Sequence, residues 1–245
     1  MRKVQPNNRV DQQPCYLLTS YPWKESSLWL EIYSKDYGRV PLLARSARKP
    51  QSMLRGTLMP FTPLEISWFG NNELRTLHTV TRLQGWPQPN GQALLSGLYV
   101  NELMLKLTVR DDASAALFQA FEKIAHALCT NQSPTLNLRL FEWSLLDLLG
   151  FAPDISHDNN NQPIEADKQY LMHPEQPPQL YHDSLEKLEN TVVIQGQSLI
   201  DLHNQTLSQT QSKTDILTLN RLFLNFRLPE NLSSRKLITQ LNQFT

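Results

Sequence analysis

The hydrophobic pattern of the chain changes its period at residues 85–91 (GWPQPNG), a stretch with the composition of a linker. Before this stretch, apolar and polar residues alternate, which is the period of β-strands. After it, apolar residues recur every three or four positions, as they do in helices that pack against a core. The change predicts an α+β chain, with a β domain at 1–85 and an all-helical domain at 86–245.

Five short strands are predicted before the linker. The pattern places them at 15–20, 27–33, 39–44, 64–69 and 74–81. Five short strands with regular turns are typical of a small closed barrel, and the OB-fold is a five-stranded barrel whose second and third strands carry the binding face. The polar residues 1–14 are expected to form a flexible leader, and they do not have the pattern of a secretory signal.

A basic segment at 38–63 overlaps the third predicted strand and runs to the fourth. It contains no Asp or Glu, and it holds five cations: Arg39, Arg45, Arg48, Lys49 and Arg55. The formal net charge of the chain is zero, yet residues 1–85 hold 12 Lys and Arg against 6 Asp and Glu, a net of +6, and residues 86–245 hold 11 against 17, a net of −6. This asymmetry predicts that the basic segment contacts nucleic acid; the alternative is an ordinary solvated loop.

Two aromatic residues of the second predicted strand, Trp29 and Tyr33, share the face opposite Leu28, Leu30 and Ile32. One interpretation makes them a platform on which nucleic-acid bases stack. The other makes them packing residues between the barrel and the helical half. The sequence leaves both interpretations open.

Six helices are predicted beyond the linker. Their apolar stripes cover 94–105, 117–128, 138–149, 198–203, 214–226 and 233–244. Asp111 and Asp112 are the expected N-cap of the second helix, and Gly150 is the expected stop of the third. Residues 151–183 are polar and proline-rich, which predicts an exposed excursion, and 204–212 are expected to form a loop.

The sequence contains no motif of enzyme or metal chemistry. It lacks the GxxxxGK[ST], GxGxxG, HExxH and GxSxG patterns. Five polar residues of the excursion match no standard zinc spacing: His157, His173, Asp154, Asp158 and Asp167. Cys15 and Cys129 form no CxxC pair, which fits a reducing compartment. We expect no catalytic site, metal or cofactor, while a hydrolase whose geometry is invisible in sequence stays open.

The residues that carry a family resemblance lie in four blocks. Two of them are YLLTSYPWKESSLWLEIYSKDYGRV and LLARSARKPQSMLRGTLMPFTPLEISWFG in the β half. The others are LLSGLYVNELMLKL and LRLFEWSLLDLLGF in the helical half, with a weaker echo in LSSRKL. On these blocks the chain resembles the RecO family of bacterial recombination mediators over most of its length.

The resemblance implies an N-terminal OB-fold that binds single- and double-stranded DNA, followed by a helical domain. It implies ATP-independent annealing of complementary strands coated by the single-stranded DNA-binding protein SSB and, with RecR, loading of the RecA recombinase. Many members carry a four-cysteine zinc module, but residues 151–183 contain no cysteine, so no zinc is expected. A cytoplasmic, nucleoid-associated monomer without membrane contact is expected, because no apolar run approaches the roughly 18 residues of a membrane span.

The resemblance also points to Arg139, which interrupts an apolar helix (LNLRLFEW) at a position that contributes to binding of the acidic, phenylalanine-ended SSB tail in the family. The guanidinium would pair with a carboxylate while apolar neighbours hold the phenyl ring. The alternative is an arginine that lies along the helix surface with its charge in water. A second function therefore stays open, a protein-interaction adaptor that works mainly through the helical half.

Overall fold

The computed structural model describes residues 8–71, 73–182, 184, 189–206, 210–228 and 232–234. It has the predicted α+β class, and its contacts divide it into two compact units. The first unit holds the described residues up to 132 together with Ser233 and Ser234. The second holds the described residues from 133 to 232. The sequence predicts a boundary between residues 85 and 86, whereas the two units meet in sequence after residue 132. The predicted domain boundary therefore stays a prediction.

Five strands form a closed barrel in the first unit. They are β1 (Arg9–Trp23), β2 (Ser27–Ser34), β3 (Gly38–Ala44), β4 (Leu64–Phe69) and β5 (Arg75–Arg82). Their order is β1-β2-β3-β5-β4, with β4 pairing back to β1, and β3 and β5 are the parallel pair of the barrel. This is the strand order of an OB-fold, so the predicted barrel is confirmed. One short helix, α1 (Leu54–Thr57), lies between β3 and β4.

The barrel interior is filled by the alternating apolar residues that the sequence indicated. Leu30 and Ile32 of β2 face Val40 and Leu42 of β3 inside the barrel, and Trp68 of β4 is fully buried with them. Because successive side chains of a strand point to opposite faces, Glu31 and its alternate neighbours lie on the outer surface. The outer surface of β2 and β3 is therefore fixed by the same pattern that fills the core.

The first strand extends beyond its predicted limits at both ends. Its residues from Arg9 to Cys15 pair with β4, so the expectation of a flexible leader is wrong for residues 9–14. These residues are polar, and they are ordered because their backbone groups complete the hydrogen bonds that close the barrel. At the other end β1 continues past its predicted end at residue 20, through Pro22, to Trp23. Residues 1–7 of the expected leader lie outside the described residues.

Two helices pack on the outside of the barrel: α2 (Gly91–Leu107) and α3 (Ala115–Cys129). The rings of Tyr16 and Tyr33 pack on Phe118 and Phe121 of α3, with ring centroids 5.2 to 6.5 Å apart. These four large side chains are buried, so their contact contributes apolar area that holds α3 on the barrel.

The connector between α2 and α3, residues 108–114, lies across the outer face of β2 and β3. The backbone amide of Asp111 donates to the carbonyl of Arg39 over 3.0 Å. Gly38 begins β3 with a φ of +65°, and a Cβ there would lie 2.0 Å from the carbonyl oxygen of Asp112. The connector thus covers the Gly38 end of the face that an OB-fold uses for binding.

The N-cap of α3 differs from the expected one. Ser114 accepts a hydrogen bond from the amide of Leu117 and caps the helix, so the assignment of that role to Asp111 and Asp112 is wrong. Asp111 has a left-handed φ of +61°, and its carboxylate pairs with Arg75 at 2.7 Å. Asp111 lies three residues before the N-cap, and its carboxylate pairs with Arg75 of the barrel, so it does not cap the helix.

Within the residues that the structure describes, the second unit contains three helices and a small three-stranded sheet. Its elements are α4 (Pro134–Leu148), β6 (Gln169–His173), β7 (Gln176–Leu180), β8 (Val192–Gln195), α5 (Gly196–His203) and α6 (Thr210–Arg227). The antiparallel sheet has the order β7-β6-β8, which corrects the prediction of an all-helical domain. Its strands have only four or five residues, too few for a period-two pattern to be recognised.

Helix limits in the second unit follow the sequence with one exception, the start of α6. Gly150 has a φ of +72° just after α4, which confirms the predicted stop. Helix α6 begins at Thr210, inside the predicted loop 204–212, of which 207–209 lie outside the described residues. The predicted helix 233–244 also lies outside the described residues apart from Ser233 and Ser234.

Substitution of Gly38 by Ala tests the contact between the connector and the barrel. The variant combines a left-handed residue with a collision against Asp112, so we expect it to lower the free energy of unfolding by at least about 2 kcal/mol. Urea unfolding followed by far-UV circular dichroism measures the change. Gly56→Ala is the matched control, because a Cβ there meets nothing within 4 Å and the change should stay within about 1 kcal/mol. Equal stability of the two variants would contradict the close approach.

Candidate nucleic-acid interface and partner groove

Residues 45–55, which we call the basic loop, carry the exposed cations of the basic segment. Four of them lie at the surface: Arg45, Arg48, Lys49 and Arg55. The backbone amide of Arg48 donates to the carbonyl of Ser26 over 2.8 Å, and its guanidinium donates to the carbonyls of Lys24 and Glu25 over 3.2 and 3.3 Å. The loop is thus held on the turn between β1 and β2, and the other three cations are presented to solvent beside it.

Arg39 has a different environment from the loop cations. Its side chain is 17% exposed, and the guanidinium donates to the carbonyl of Thr108 over 2.9 Å and lies 3.6 Å from the Glu31 carboxylate. Burial lowers the pKa of Arg39, an effect that Glu31 opposes and Arg110 reinforces. Arg39 joins β3 to the connector, so its charge is already used within the protein.

Glu31 lies between two cations on the outer face of β2. Its side chain is 5% exposed, and one oxygen accepts a hydrogen bond from Arg110 while the other faces Arg39. A carboxylate buried to this extent is tolerated only when it is paired and hydrogen-bonded. The same oxygen that meets Arg110 accepts from the indole Nε1 of Trp29 over 3.2 Å.

The two aromatic candidates are separated by the structure. Tyr33 is fully buried against Phe118 and Phe121, and burial raises its pKa to about 12. It has no face for a base, so the stacking interpretation is wrong for Tyr33 because α3 covers its ring. Trp29 is half-buried, and the guanidinium of Arg110 lies 5.8 Å from its ring centroid. Trp29 lies on the same face near the turn between β1 and β2, an end of the face that we call open because α3 does not cover it.

Sequence reasoning missed three residues at this open end: Tyr21, Trp23 and Arg110. The alternation of Tyr21 and Trp23 around Pro22 was the available signal, but the predicted strand ends at residue 20, before these rings. Arg110 gave no signal, because only the path of the connector brings it to Trp29 and Glu31.

A groove of about 600 Å³ lies between α4 and α6 in the second unit. Its cations are Arg139 of α4 with Lys213 and Arg221 of α6, and its apolar lining includes Leu136 and Leu217. Lys213 and Arg221 are exposed. Both are new with respect to the sequence analysis, because a single sequence does not show that α6 packs beside α4.

Arg139 is anchored from inside the second unit. Its guanidinium pairs with the carboxylate of Glu142 at 2.7 Å, and the side-chain amide of Asn220 donates to that same carboxylate and to the Arg139 carbonyl, each over 2.9 Å. Glu142 is almost fully buried, so it needs this cation. Because its guanidinium is paired with Glu142, Arg139 interacts more weakly with an external anion than Lys213 and Arg221, which are exposed at the groove.

The side chains that were considered as metal ligands do not assemble a site. Across the described residues, no group of three His, Cys, Asp or Glu lies close enough to hold a metal ion. His157 is bonded to Ser156 and lies 3.6 Å from Asp154, and both cysteines are buried in the first unit. A four-cysteine module does not fit these residues, and the absence of zinc stays a prediction.

Comparison with known protein families covers both halves of the chain. A family model described as "Recombination protein O N terminal" matches residues 9–86, and one described as "Recombination protein O C terminal" matches residues 88–236. The chain belongs to the RecO family. This confirms the resemblance seen in the sequence, and it makes the chain a DNA repair and recombination protein of a family that acts as a mediator and not as an enzyme.

Individual RecO proteins are similar to this RecO-family chain over nearly its whole length. The DNA repair protein RecO of Neisseria meningitidis serogroup C is 48% identical over 239 residues, which cover 97% of this chain and 91% of that protein. The DNA repair protein RecO of Chromobacterium violaceum is 39% identical over 232 residues, which cover 94% and 95%. That of Dechloromonas aromatica is 37% identical over 241 residues, covering 96% and 98%.

The helices that the structure describes in this RecO-family chain do not have both the length and the hydrophobicity of a membrane span. In the part of the chain that the structure describes, none of them is both long enough and apolar enough to cross a bilayer.

The two environments of the arginines in the basic segment predict different effects on stability. We expect Arg39→Ala to lower the free energy of unfolding by about 2 to 4 kcal/mol, because it leaves the Glu31 carboxylate and the Thr108 carbonyl short of a buried partner. Arg45→Ala should change it by less than about 0.5 kcal/mol, because that side chain is exposed. Urea unfolding measures both; equal effects would contradict the structural role of Arg39.

Proposed function

We propose that this RecO-family chain binds single- and double-stranded DNA through the basic loop. The observation that carries the proposal is the exposure of Arg45, Arg48, Lys49 and Arg55 in a segment, 38–63, that contains no acidic residue. Phosphates are the anions that such a surface meets in a DNA repair protein, and phosphate contacts fix a protein on DNA without reading its sequence. Arg39 is not included, because its side chain is mostly buried and its guanidinium donates to the Thr108 carbonyl beside Glu31.

We further propose that the chain anneals complementary strands coated by SSB without ATP. Two strands repel each other through their phosphates, and a surface that neutralises phosphates lets them approach while base pairing supplies the specificity. The sequence contains no nucleotide-binding loop, which agrees with a process that needs no ATP. With RecR the chain would assist RecA loading, acting as a monomer in the cytoplasm at the nucleoid.

The salt dependence of binding tests the basic loop. If its four exposed cations each neutralise one phosphate of a single strand, the logarithm of the binding constant should fall against the logarithm of salt concentration with a slope of about −3. The triple variant Arg45→Ala, Lys49→Ala, Arg55→Ala should flatten the slope to about −1. It retains Arg48, because that side chain holds the turn between β1 and β2. Fluorescence anisotropy of a labelled oligonucleotide measures the slope.

The control for this titration is the double variant Lys106→Ala, Lys123→Ala, which removes exposed cations from α2 and α3. It lowers the net charge of the protein without changing the loop, so its slope should equal that of the unmodified chain within about 0.5. A triple variant with an unchanged slope would exclude the basic loop as the DNA site. Annealing of SSB-coated strands without ATP, measured on the same variants, should fall with DNA binding.

For the groove between α4 and α6 we propose the acidic, phenylalanine-ended tail of SSB as the ligand. Lys213 and Arg221 lie at the surface of the groove and would pair with carboxylates, while Leu136 and Leu217 offer apolar contact to a phenyl ring. Arg139 also lines the groove, but its guanidinium is already paired with Glu142. This site also supports the alternative function, an adaptor that acts mainly through the helical half.

A peptide titration tests the groove. An acidic peptide that ends in phenylalanine should bind, and Lys213→Ala or Arg221→Ala should weaken it about tenfold, as expected for loss of one charge-assisted contact. Isothermal calorimetry measures both. Lys123→Ala is the control, since this exposed lysine does not line the groove. These variants are preferable to Arg139→Glu, which would place a second carboxylate beside the buried Glu142.

The combination of the two titrations separates the proposed functions. Peptide binding that Lys213→Ala and Arg221→Ala leave intact would exclude the groove as the tail site. Peptide binding without any DNA binding would favour the adaptor over the annealing mediator.

A further inference from the structure

At one end of the barrel, β1 extends past its pairing with β4 and forms, with β2, a hairpin that we call the ribbon, defined as residues 19–23 and 27–31; residues 28–31 of β2 also pair with β3. Within the described residues, β4 pairs with β1 from Arg9 to Cys15, whereas residues 19–23 pair with β2. Tyr21 lies directly opposite Trp29, and Trp23 lies opposite Ser27. Because alternate residues of a strand share a face, Tyr21, Trp23 and Trp29 project from the same side of the ribbon.

These three rings form an exposed aromatic surface. Tyr21 is 54% exposed and Trp23 is 38% exposed. The rings of Trp23 and Trp29 are 5.3 Å apart and inclined by 56°, and Arg110 lies over the Trp29 ring at 5.8 Å from its centroid. Large aromatic side chains that remain in water on one face are characteristic of binding surfaces.

The charges around the ribbon favour a polyanion as its occupant. Lys24 is exposed at the turn of the ribbon, the basic loop is bonded to that turn through Arg48, and Arg110 stands beside Trp29. The acidic residues at the ribbon are Glu25, which is exposed, and Glu31, which is buried between Arg39 and Arg110. An aromatic surface bordered by cations has the chemistry that binds unpaired nucleic-acid bases, since each base offers a π-face and its backbone offers phosphates.

We infer that Tyr21, Trp23 and Trp29 form a stacking site for unpaired bases, and that this site makes the chain bind single strands more tightly than duplex. Bases in a duplex are stacked on one another and cannot present their faces, so a duplex is held by the basic loop alone. A single strand is held by the loop and by the rings. The inference rests on the proposed binding of DNA and adds to it the residues that distinguish the two forms.

Substitutions of the two most exposed rings test the inference against three DNA probes. The probes are an oligothymidylate, an abasic oligomer of the same length and a blunt duplex, and fluorescence anisotropy measures binding. We expect Tyr21→Ala and Trp23→Ala each to weaken oligothymidylate binding about tenfold, the effect of losing one base–ring stack. Binding of the abasic oligomer and of the duplex should stay within about twofold, because their phosphate contacts remain.

Three controls make the result specific. Trp23→Phe keeps an aromatic ring and should restore most of the affinity for oligothymidylate. Leu148→Ala removes an exposed apolar side chain of α4 in the second unit, outside both the ribbon and the basic loop, and should leave it unchanged. The slope against salt should be the same for Tyr21→Ala and Trp23→Ala as for the unmodified chain, since no phosphate contact is removed.

The outcomes separate this inference from the proposed function. If the unmodified chain binds DNA and both ring variants bind oligothymidylate equally well, the inference is overturned and the ribbon is assigned to a protein partner. Equal losses on oligothymidylate and on the abasic oligomer would also overturn it, because the rings would then act on the backbone. If the unmodified chain binds none of the three probes, the inference and the proposed DNA binding both fail.

Discussion

The position of the Glu31 carboxylate determines how the first unit presents its surface. Glu31 lies on the outer face of β2, and it is 4% exposed as a residue. A carboxylate in that place has to be paired, and its two partners come from different elements: Arg39 from β3 and Arg110 from the connector 108–114. The ion pairs hold the connector against the barrel, in register with the backbone bond between Asp111 and Arg39.

This arrangement divides the expected binding face of the barrel into two parts. Toward Gly38 the connector and α3 cover the face, and Tyr33 becomes a core residue. Toward the turn between β1 and β2 the face is open, and it carries Trp29 with the exposed rings of Tyr21 and Trp23. The open part adjoins the basic loop, because Arg48 is bonded to the turn. Proposed phosphate and base contacts are thus neighbours for a structural reason.

The second unit uses an arginine in a comparable way. Arg139 neutralises Glu142 inside the unit, and Asn220 fixes that carboxylate from α6. The two hydrogen bonds donated by Asn220 join α6 to α4, and the groove lies between these helices. In both units, an arginine that attracts attention in the sequence serves first to satisfy a buried acid. The cations that stand at the surface are the ones nearby, Arg45 and Lys49 in one unit and Lys213 and Arg221 in the other.

The sequence by itself determined the barrel and its core, the presence of helices after it, the stop of α4 at Gly150 and the position of the basic loop, because strand and helix periods, glycine turns and charge runs are local properties. It also determined the family, through blocks spread over most of the chain. Only the tertiary structure decided which of the marked residues are accessible. Tyr33 and Trp29 have equivalent positions in the strand pattern, yet α3 covers Tyr33 and leaves Trp29 uncovered. Arg39 and Arg45 are both cations of one basic segment, yet Arg39 lies beside the buried Glu31 carboxylate and Arg45 is exposed. Pairing between distant residues, as of Glu31 with Arg110 or Arg139 with Asn220 across 81 positions of sequence, has no signal in a single chain and arises when the elements pack.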